Sequence, residues 1–203
     1  MDAAKIQLSA EESTLVQNAD WLLTKNNIIE KVVLLFSELT PSMQQLLHDA
    51  KQPLPVAVAD ISPKISKGEK YEGLPWVMLD FPRVFGKEDT WAIRTMFWWG
   101  HFFSITLHLK GKYKQQYQAV LMDNMPLLKQ HECYICIADD EWRHHFMEDY
   151  YTPLDQLDEA VIATMLSRND FCKLSAKIPL HQWDLVCGKI LLHFQVLLQA
   201  LGH

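Results

Sequence analysis

The sequence predicts an α+β protein with a central, mostly antiparallel sheet of about four to five strands, packed by N-terminal and C-terminal helices. Three observations lead to this prediction. Apolar residues recur at the helical period in the first 50 residues, alternate at the strand period between residues 74 and 109, and return to the helical period after residue 179. At 203 residues without an internal repeat, the chain is expected to form a single domain, 1–203.

The N-terminal helical layer is predicted over about residues 9–50. Ser9 and Glu12 have the spacing of a capping box and predict a helix that runs to about residue 24. A second helix is predicted from about residue 28 to 39. Pro41 suits the first position of a helix and therefore predicts the start of a third, short one. Between residues 51 and 73 prolines and glycines interrupt every pattern, which predicts a long connection.

The sheet and its helices are predicted over about residues 74–203, around an aromatic run at residues 97–103. Strands are expected over 74–80 and 90–97, followed by the aromatic strand to residue 109. In that strand the odd positions are nearly all apolar, whereas the even positions turn polar from Ser104 onward. Gly100 lies among the rings and marks either a bulge or the pivot between two strands. The remaining predicted elements are helices at 113–124, 139–149, 154–166 and 180–201, and strands at 132–138 and 171–178.

Composition narrows the range of partners. The net charge of −6 disfavours a nucleic-acid surface, which requires a basic excess. No stretch approaches the roughly 18 apolar residues that span a bilayer, so no membrane partner is expected. The N-terminus carries no apolar signal region, and four cysteines without one predict reduced thiols and a cytoplasmic protein.

One set of residues is predicted to form a ligand-binding pocket. His101 lies among rings on the apolar face of the aromatic strand, and Trp99 shares that face. Asp80 and Arg83 flank the end of one strand, and Arg94 interrupts the apolar pattern of the next. Asp80 with Arg83 or Arg94 is expected to be a structural ion pair, with an anion-recognising corner as the alternative. No cofactor and no catalytic residue can be assigned from these residues.

A second set contains residues of the types that bind metals. Cys133 and Cys136 have opposite strand parity, so core packing is the preferred interpretation. His131, His144 and His145 lie nearby, and Glu141 and His145 would share one face of the predicted helix. An ordinary surface ion pair is preferred to a two-ligand fragment there. No metal site is therefore predicted.

The sequence patterns are compatible with three functions. The preferred one is a non-catalytic small-ligand-binding or protein-interaction module that self-associates, for example as a homodimer. The first alternative is an enzyme or sensor with a pocket formed by His101, Asp80, Arg83 and Arg94, and the second is a metal-binding protein. The sequence lacks the glycine-rich and nucleophile motifs of the commonest enzyme classes.

Overall fold

The computed structural model describes residues 6–50, 54–59 and 61–203. The helices are α1 (Ala10–Val16), α2 (Ala19–His48), α3 (Val56–Ala59), α4 (Lys112–Asp123), α5 (Met125–Gln130), α6 (Glu159–Arg168) and α7 (Val186–Ala200). The strands are β1 (Lys64–Tyr71), β2 (Leu74–Phe85), β3 (Thr90–Trp98), β4 (Phe102–Lys110), β5 (Tyr134–Cys136), β6 (Tyr151–Pro153) and β7 (Phe171–Pro179). Short 3-10 helices cover Leu154–Gln156 and Leu180–Leu185.

The strands form one antiparallel sheet in the order β1-β2-β3-β4-β7-β5-β6. The α+β class is therefore confirmed, but the prediction of about four to five strands was too low, because the sheet has seven. One unpredicted strand, β1, lies within the stretch that was predicted as a connection. Its side chains are mostly half-buried or exposed, so it shows no apolar alternation that the sequence could reveal. A second, β6, has only three residues.

One face of the sheet carries the main hydrophobic core. The odd positions of β4, from Phe103 to Leu109, lie on this face as the alternation predicts, and α2 and α7 pack over them. Helices α4, α5 and α6 extend the same core with Tyr117, Leu128 and Ile162. Among the described residues, no helix is packed on the opposite face of the sheet.

Helix α2 continues through Pro41, where the sequence predicted that a new helix begins. Proline removes one backbone hydrogen bond and costs roughly 3 kcal/mol inside a helix. Phe36, Leu39 and Met43 are buried on both sides of the proline, in the core against the sheet. Their burial, at roughly 1.5–3 kcal/mol each, outweighs that cost.

The aromatic run is a hairpin and not one continuous strand. Strand β3 ends at Trp98, β4 begins at Phe102, and the two pair in register at these positions. Gly100 turns the chain with a φ of +76°, a conformation that glycine adopts without the steric penalty of a Cβ. Of the two interpretations of Gly100, the pivot between two strands is correct.

Residues 139–150, which we call the roof segment, contain neither helix nor strand. The helix predicted over 139–149 was therefore wrong. The side chains of this segment are engaged in contacts with the sheet, which offset the loss of regular backbone hydrogen bonds.

Candidate functional site

A row of polar side chains crosses the sheet on the face away from the helices. Asp80, Arg94, Thr106 and Ser175 occupy directly opposed positions on β2, β3, β4 and β7. Opposed residues point to the same side of a sheet, so strand register alone aligns the four side chains. Thr106 and Ser175 are buried and share a hydrogen bond of 2.6 Å.

The roof segment covers this row and excludes water from it. Phe146 fastens one end by packing against Phe102, Tyr134 and Tyr151, with ring centroids 4.6 to 5.1 Å apart. Glu141 and His144 reach down to the strands from the rest of the segment. The result is a closed polar cluster between sheet and roof.

The first part of the cluster is the ion pair of Asp80 and Arg94. Arg94 donates from Nε to Oδ1 at 2.6 Å and from Nη2 to Oδ2 at 3.1 Å. The side chains are only 8% and 12% exposed, so the pair is bidentate and nearly dry. Arg94 also donates from Nη1 to His144 Nε2 at 3.2 Å. A guanidinium can only donate, so this ring nitrogen must accept, and the His144 ring is neutral.

The second part is the Glu141 carboxylate, which the roof segment inserts between two basic groups of β4. His108 Nε2 donates to Oε2 at 3.0 Å, and Lys110 Nζ donates to Oε1 at 2.8 Å. These hydrogen bonds outweigh desolvation and lower the pKa of Glu141 to about 2. Burial lowers the pKa of His108, so His108 donates to Glu141 as a neutral ring.

The third part is Lys173, whose buried amine forms no ion pair with a carboxylate of the described residues. The residue is 1% exposed, and Nζ donates to the backbone carbonyl oxygens of Glu141, at 3.0 Å, and Arg143. Burial lowers the pKa of this amine to about 8. The two carbonyl groups and the Tyr151 ring, whose centroid lies 5.5 Å from Nζ, compensate a buried cation only in part, so a nearby negative charge would stabilise the charged form of Lys173.

Aromatic residues close the cluster on its other side. The amide of His144 donates to Tyr71 Oη at 2.7 Å, and His145 Nδ1 lies 2.8 Å from the same oxygen. Desolvation, followed by the nearby charges of Lys173 and Arg94, lowers the pKa of His144 well below its ordinary value. His144 therefore stays neutral in the closed protein.

The five residues that the sequence predicted for a pocket are distributed over the molecule. Asp80 and Arg94 meet in the polar cluster. His101 is exposed in the hairpin turn, stacked on Trp98 at a centroid distance of 3.7 Å. Arg83 follows the bulge in β2, and its Nε is buried without a hydrogen-bond partner. Trp99 packs edge-to-face on Phe97 toward the helical side.

The main members of the cluster were not in that predicted set. The alternation in β4 and β7 places His108 and Lys173 on the polar face, which gave a usable signal. No local sequence pattern indicated the roles of Glu141 and His144, because their partners His108 and Arg94 lie 33 and 50 residues away along the chain.

The metal-ligand types do not converge. Glu141 binds His108 and Lys110 whereas His145 contacts Tyr71, so the pair expected on one helical face is separated. Among the residues that the structure describes, no group of three His, Cys, Asp or Glu side chains could hold a metal ion. Cys133 is in the core, and burial raises the pKa of its thiol to about 12.

A cleft of about 550 Å³ lies on the outer side of the roof segment, against α6. Its walls include Cys136, Tyr150 and Met165, and four of its six charged groups pair with one another. Arg168 binds Asp139 at 2.7 Å, and Arg143 lies 3.3 Å from Asp140. Two further carboxylates of its wall, Glu148 and Asp149, are exposed to solvent, so the charge of the cleft is only partly paired.

A different surface stands out at the opposite end of the chain. Residues 6–24, which we call the N-terminal arm, comprise α1 and the start of α2. Helix α1 has no buried residue, and the first buried residue of α2 is Ile29. The arm nevertheless exposes seven large apolar side chains at 50% or more: Ile6, Leu8, Leu15, Val16, Trp21, Leu22 and Leu23.

Comparison with known proteins does not assign the chain to a family. The chain matches no family model, and no curated protein matches it at a significant level. Across the described ranges, every helix is too short or too polar to cross a membrane.

Proposed function

We propose that the chain is a non-catalytic protein-interaction module that self-associates through its N-terminal arm. The observation that carries this proposal is the concentration of exposed apolar side chains in an arm that buries nothing of its own. Large exposed apolar patches mark association sites, whereas scattered single apolar residues are normal on a protein surface.

The short length of α1 supports the proposal that this helix packs against a partner. Helices shorter than about 12 residues are marginal in water without tertiary packing. Helix α1 has seven residues, and its capping box contributes only roughly 1 kcal/mol. A surface that packs against Leu15 and Val16 would supply the stabilisation that α1 does not receive from the described part of the chain.

The exposed area suits a second copy of the same chain. At roughly 100 Å² for each half-exposed large side chain, the seven residues offer about 700 Å², close to the roughly 800 Å² per partner of a standard interface. Two-fold symmetric pairing of identical surfaces is the commonest arrangement of oligomers. The acidic side chains of the arm, Glu11, Glu12 and Asp20, disfavour an anionic membrane as the occupant.

Sedimentation velocity of matched variants tests the proposal. Leu23 in the arm and Leu34 farther along the same helix are 58% and 60% exposed, so Leu23→Asp and Leu34→Asp introduce the same change at the same exposure. We expect a dimer for the wild type and for Leu34→Asp, and a monomer for Leu23→Asp. Because Leu23 is exposed and outside the core, the circular dichroism spectrum of Leu23→Asp should lose at most the signal of the seven residues of α1.

Two outcomes would contradict the proposal. The first is a wild-type protein that stays monomeric up to about 100 μM, the range in which even weak specific contacts are populated. The second is an equal loss of association in both variants, because a general effect of charge on α2 would then explain the result.

A further inference from the structure

We propose a binding site for an oxyanion, a phosphate or carboxylate group, between the sheet and residues 139–143, with the Glu141 carboxylate as its internal occupant in the closed protein. This inference is independent of the N-terminal arm and rests on the basic groups that converge on Glu141. It assigns to the roof segment an autoinhibitory role.

Three basic residues surround the oxygens that residues 141–143 supply. His108 and Lys110 hold the two carboxylate oxygens of Glu141, and Lys173 holds the main-chain oxygens of Glu141 and Arg143. The sheet thus presents donors from neighbouring strands β4 and β7, and His108 and Lys173 are directly opposed in register. Such a set of rigidly mounted donors is what a bound oxyanion requires.

If Glu141 withdraws, the positive charge that remains at the site favours binding of an anion. Arg94 is neutralised by Asp80, and His108 and His144 are neutral rings. Lys110 and Lys173 would remain, and the nearest other carboxylate of Lys110 is Asp170, at 3.8 Å and 71% exposed. Asp140 also influences Lys173, but its side chain is 51% exposed and lies beside Arg143. Withdrawal of Glu141 would therefore leave two poorly compensated cations, Lys110 and Lys173, side by side on the sheet.

The construction of the roof segment allows this withdrawal. Residues 139–143 contribute no helix or strand, so their displacement breaks no regular hydrogen-bond ladder. The aromatic anchor, Phe146, lies beyond them and can stay in place. Trp142, between the two, is 49% exposed and contacts Phe85 and His108 through its ring, with centroids 6.2 and 5.8 Å apart, so these contacts would have to break. The segment is thus divided into a fixed end and an end that carries the carboxylate.

Removal of the internal carboxylate tests the site directly. Glu141→Gln keeps the size of the side chain and removes its charge. Glu148→Gln makes the same change in the same segment at an exposed residue without an ion pair. Binding of inorganic phosphate and of acetate is followed by amide chemical shifts, with chloride at equal ionic strength as reference. We expect Glu141→Gln to bind one or both anions at least about tenfold more tightly than the wild type and Glu148→Gln.

The double variant Glu141→Gln/Lys173→Met should lose the added affinity, which assigns it to the proposed site. Should Glu141→Gln fail to fold, Glu141→Asp retains the charge, shortens the side chain, and should give a smaller gain. If that variant is also unfolded, saturable shifts at Lys110 and Lys173 in the wild type decide the question. Affinities that are equal in all variants, or shifts that chloride reproduces, would overturn the proposal.

Discussion

Replacement of Asp80 by Asn would leave Arg94 as a buried, uncompensated cation. The guanidinium is 12% exposed at the side chain and makes two hydrogen bonds to the Asp80 carboxylate. Its third contact is a neutral imidazole, His144, which cannot replace the lost charge. Asp80→Asn keeps the shape of the side chain, so the effect isolates the charge.

The size of the effect follows from this burial. Loss of one partner of a buried ion pair typically destabilises a protein by about 3–5 kcal/mol, whereas an exposed pair contributes less than about 1 kcal/mol. Both residues are nearly dry, so we expect a value of about 3–4 kcal/mol for Asp80→Asn. Replacement of both charges, in Asp80→Asn/Arg94→Met, should restore stability to within about 1.5 kcal/mol of the wild type.

Equilibrium unfolding in urea at pH 7.5 measures these free energies. The double variant is the control, because a general packing defect would make it at least as unstable as Asp80→Asn. A loss below about 1 kcal/mol for Asp80→Asn would refute the argument, since it is the value of a solvated pair. So would a double variant that is less stable than the single one.

Three further predictions concern titration and thiol chemistry. Because the pKa of His144 is well below its ordinary value in the folded state, the free energy of unfolding should fall as pH decreases below about 6.5. His144→Gln should lower the slope of this pH dependence by up to about 1.4 kcal/mol per pH unit. Parallel pH curves for the two proteins, measured by urea unfolding, would contradict this. The pKa of Lys173 is about 8 in the folded protein and 10.5 in the unfolded chain, so below pH 8 both states are protonated and the full destabilisation by the buried charge is present. The free energy of unfolding should therefore rise by on the order of 3 kcal/mol from pH 8 to 10.5. Lys173→Met should lack that rise. A thiol reagent at pH 8 should modify exposed Cys187 in the native protein and all four cysteines only in urea, and rapid native labelling of Cys172 would be inconsistent with its burial.

Much of the fold could be predicted from local patterns. Ser9 caps α1 with the predicted capping box, and both reciprocal hydrogen bonds are present. Strand alternation placed the residues from Phe103 to Leu109 on the correct faces. These features depend on residues a few positions apart, and such spacing is visible in a sequence.

The errors arose where distant packing overrides local preference. Pro41 predicted a helix boundary, but the core on both sides of it keeps α2 continuous. The acidic start at residues 139–141 resembled a helix N-terminus, yet Glu141 is held by His108 and Lys110. No spacing rule encodes a contact across 31 or 33 residues, so the roof segment could not be predicted.

The candidate site was predictable to the same extent. Arg94 interrupts an apolar strand and was therefore expected to need a partner, with Asp80 as a candidate, and the register of β2 and β3 makes the two residues partners. His101 was placed on a continuous strand, and the turn at Gly100 moves it to the surface. Lys173 lies on a strand whose pairing with β4 is set by the whole fold, so its burial could not be predicted locally.

Hydrogen–deuterium exchange at two protein concentrations tests self-association through the N-terminal arm most directly. Amides of residues 10–24 should exchange slowly at about 100 μM and at least about tenfold faster at about 1 μM, because dissociation removes the packing that the proposed second copy gives to α1. Amides of β3 and β4 should be unaffected and serve as the internal reference. Fast exchange in the arm at both concentrations, or protection that does not change with dilution, would contradict the account.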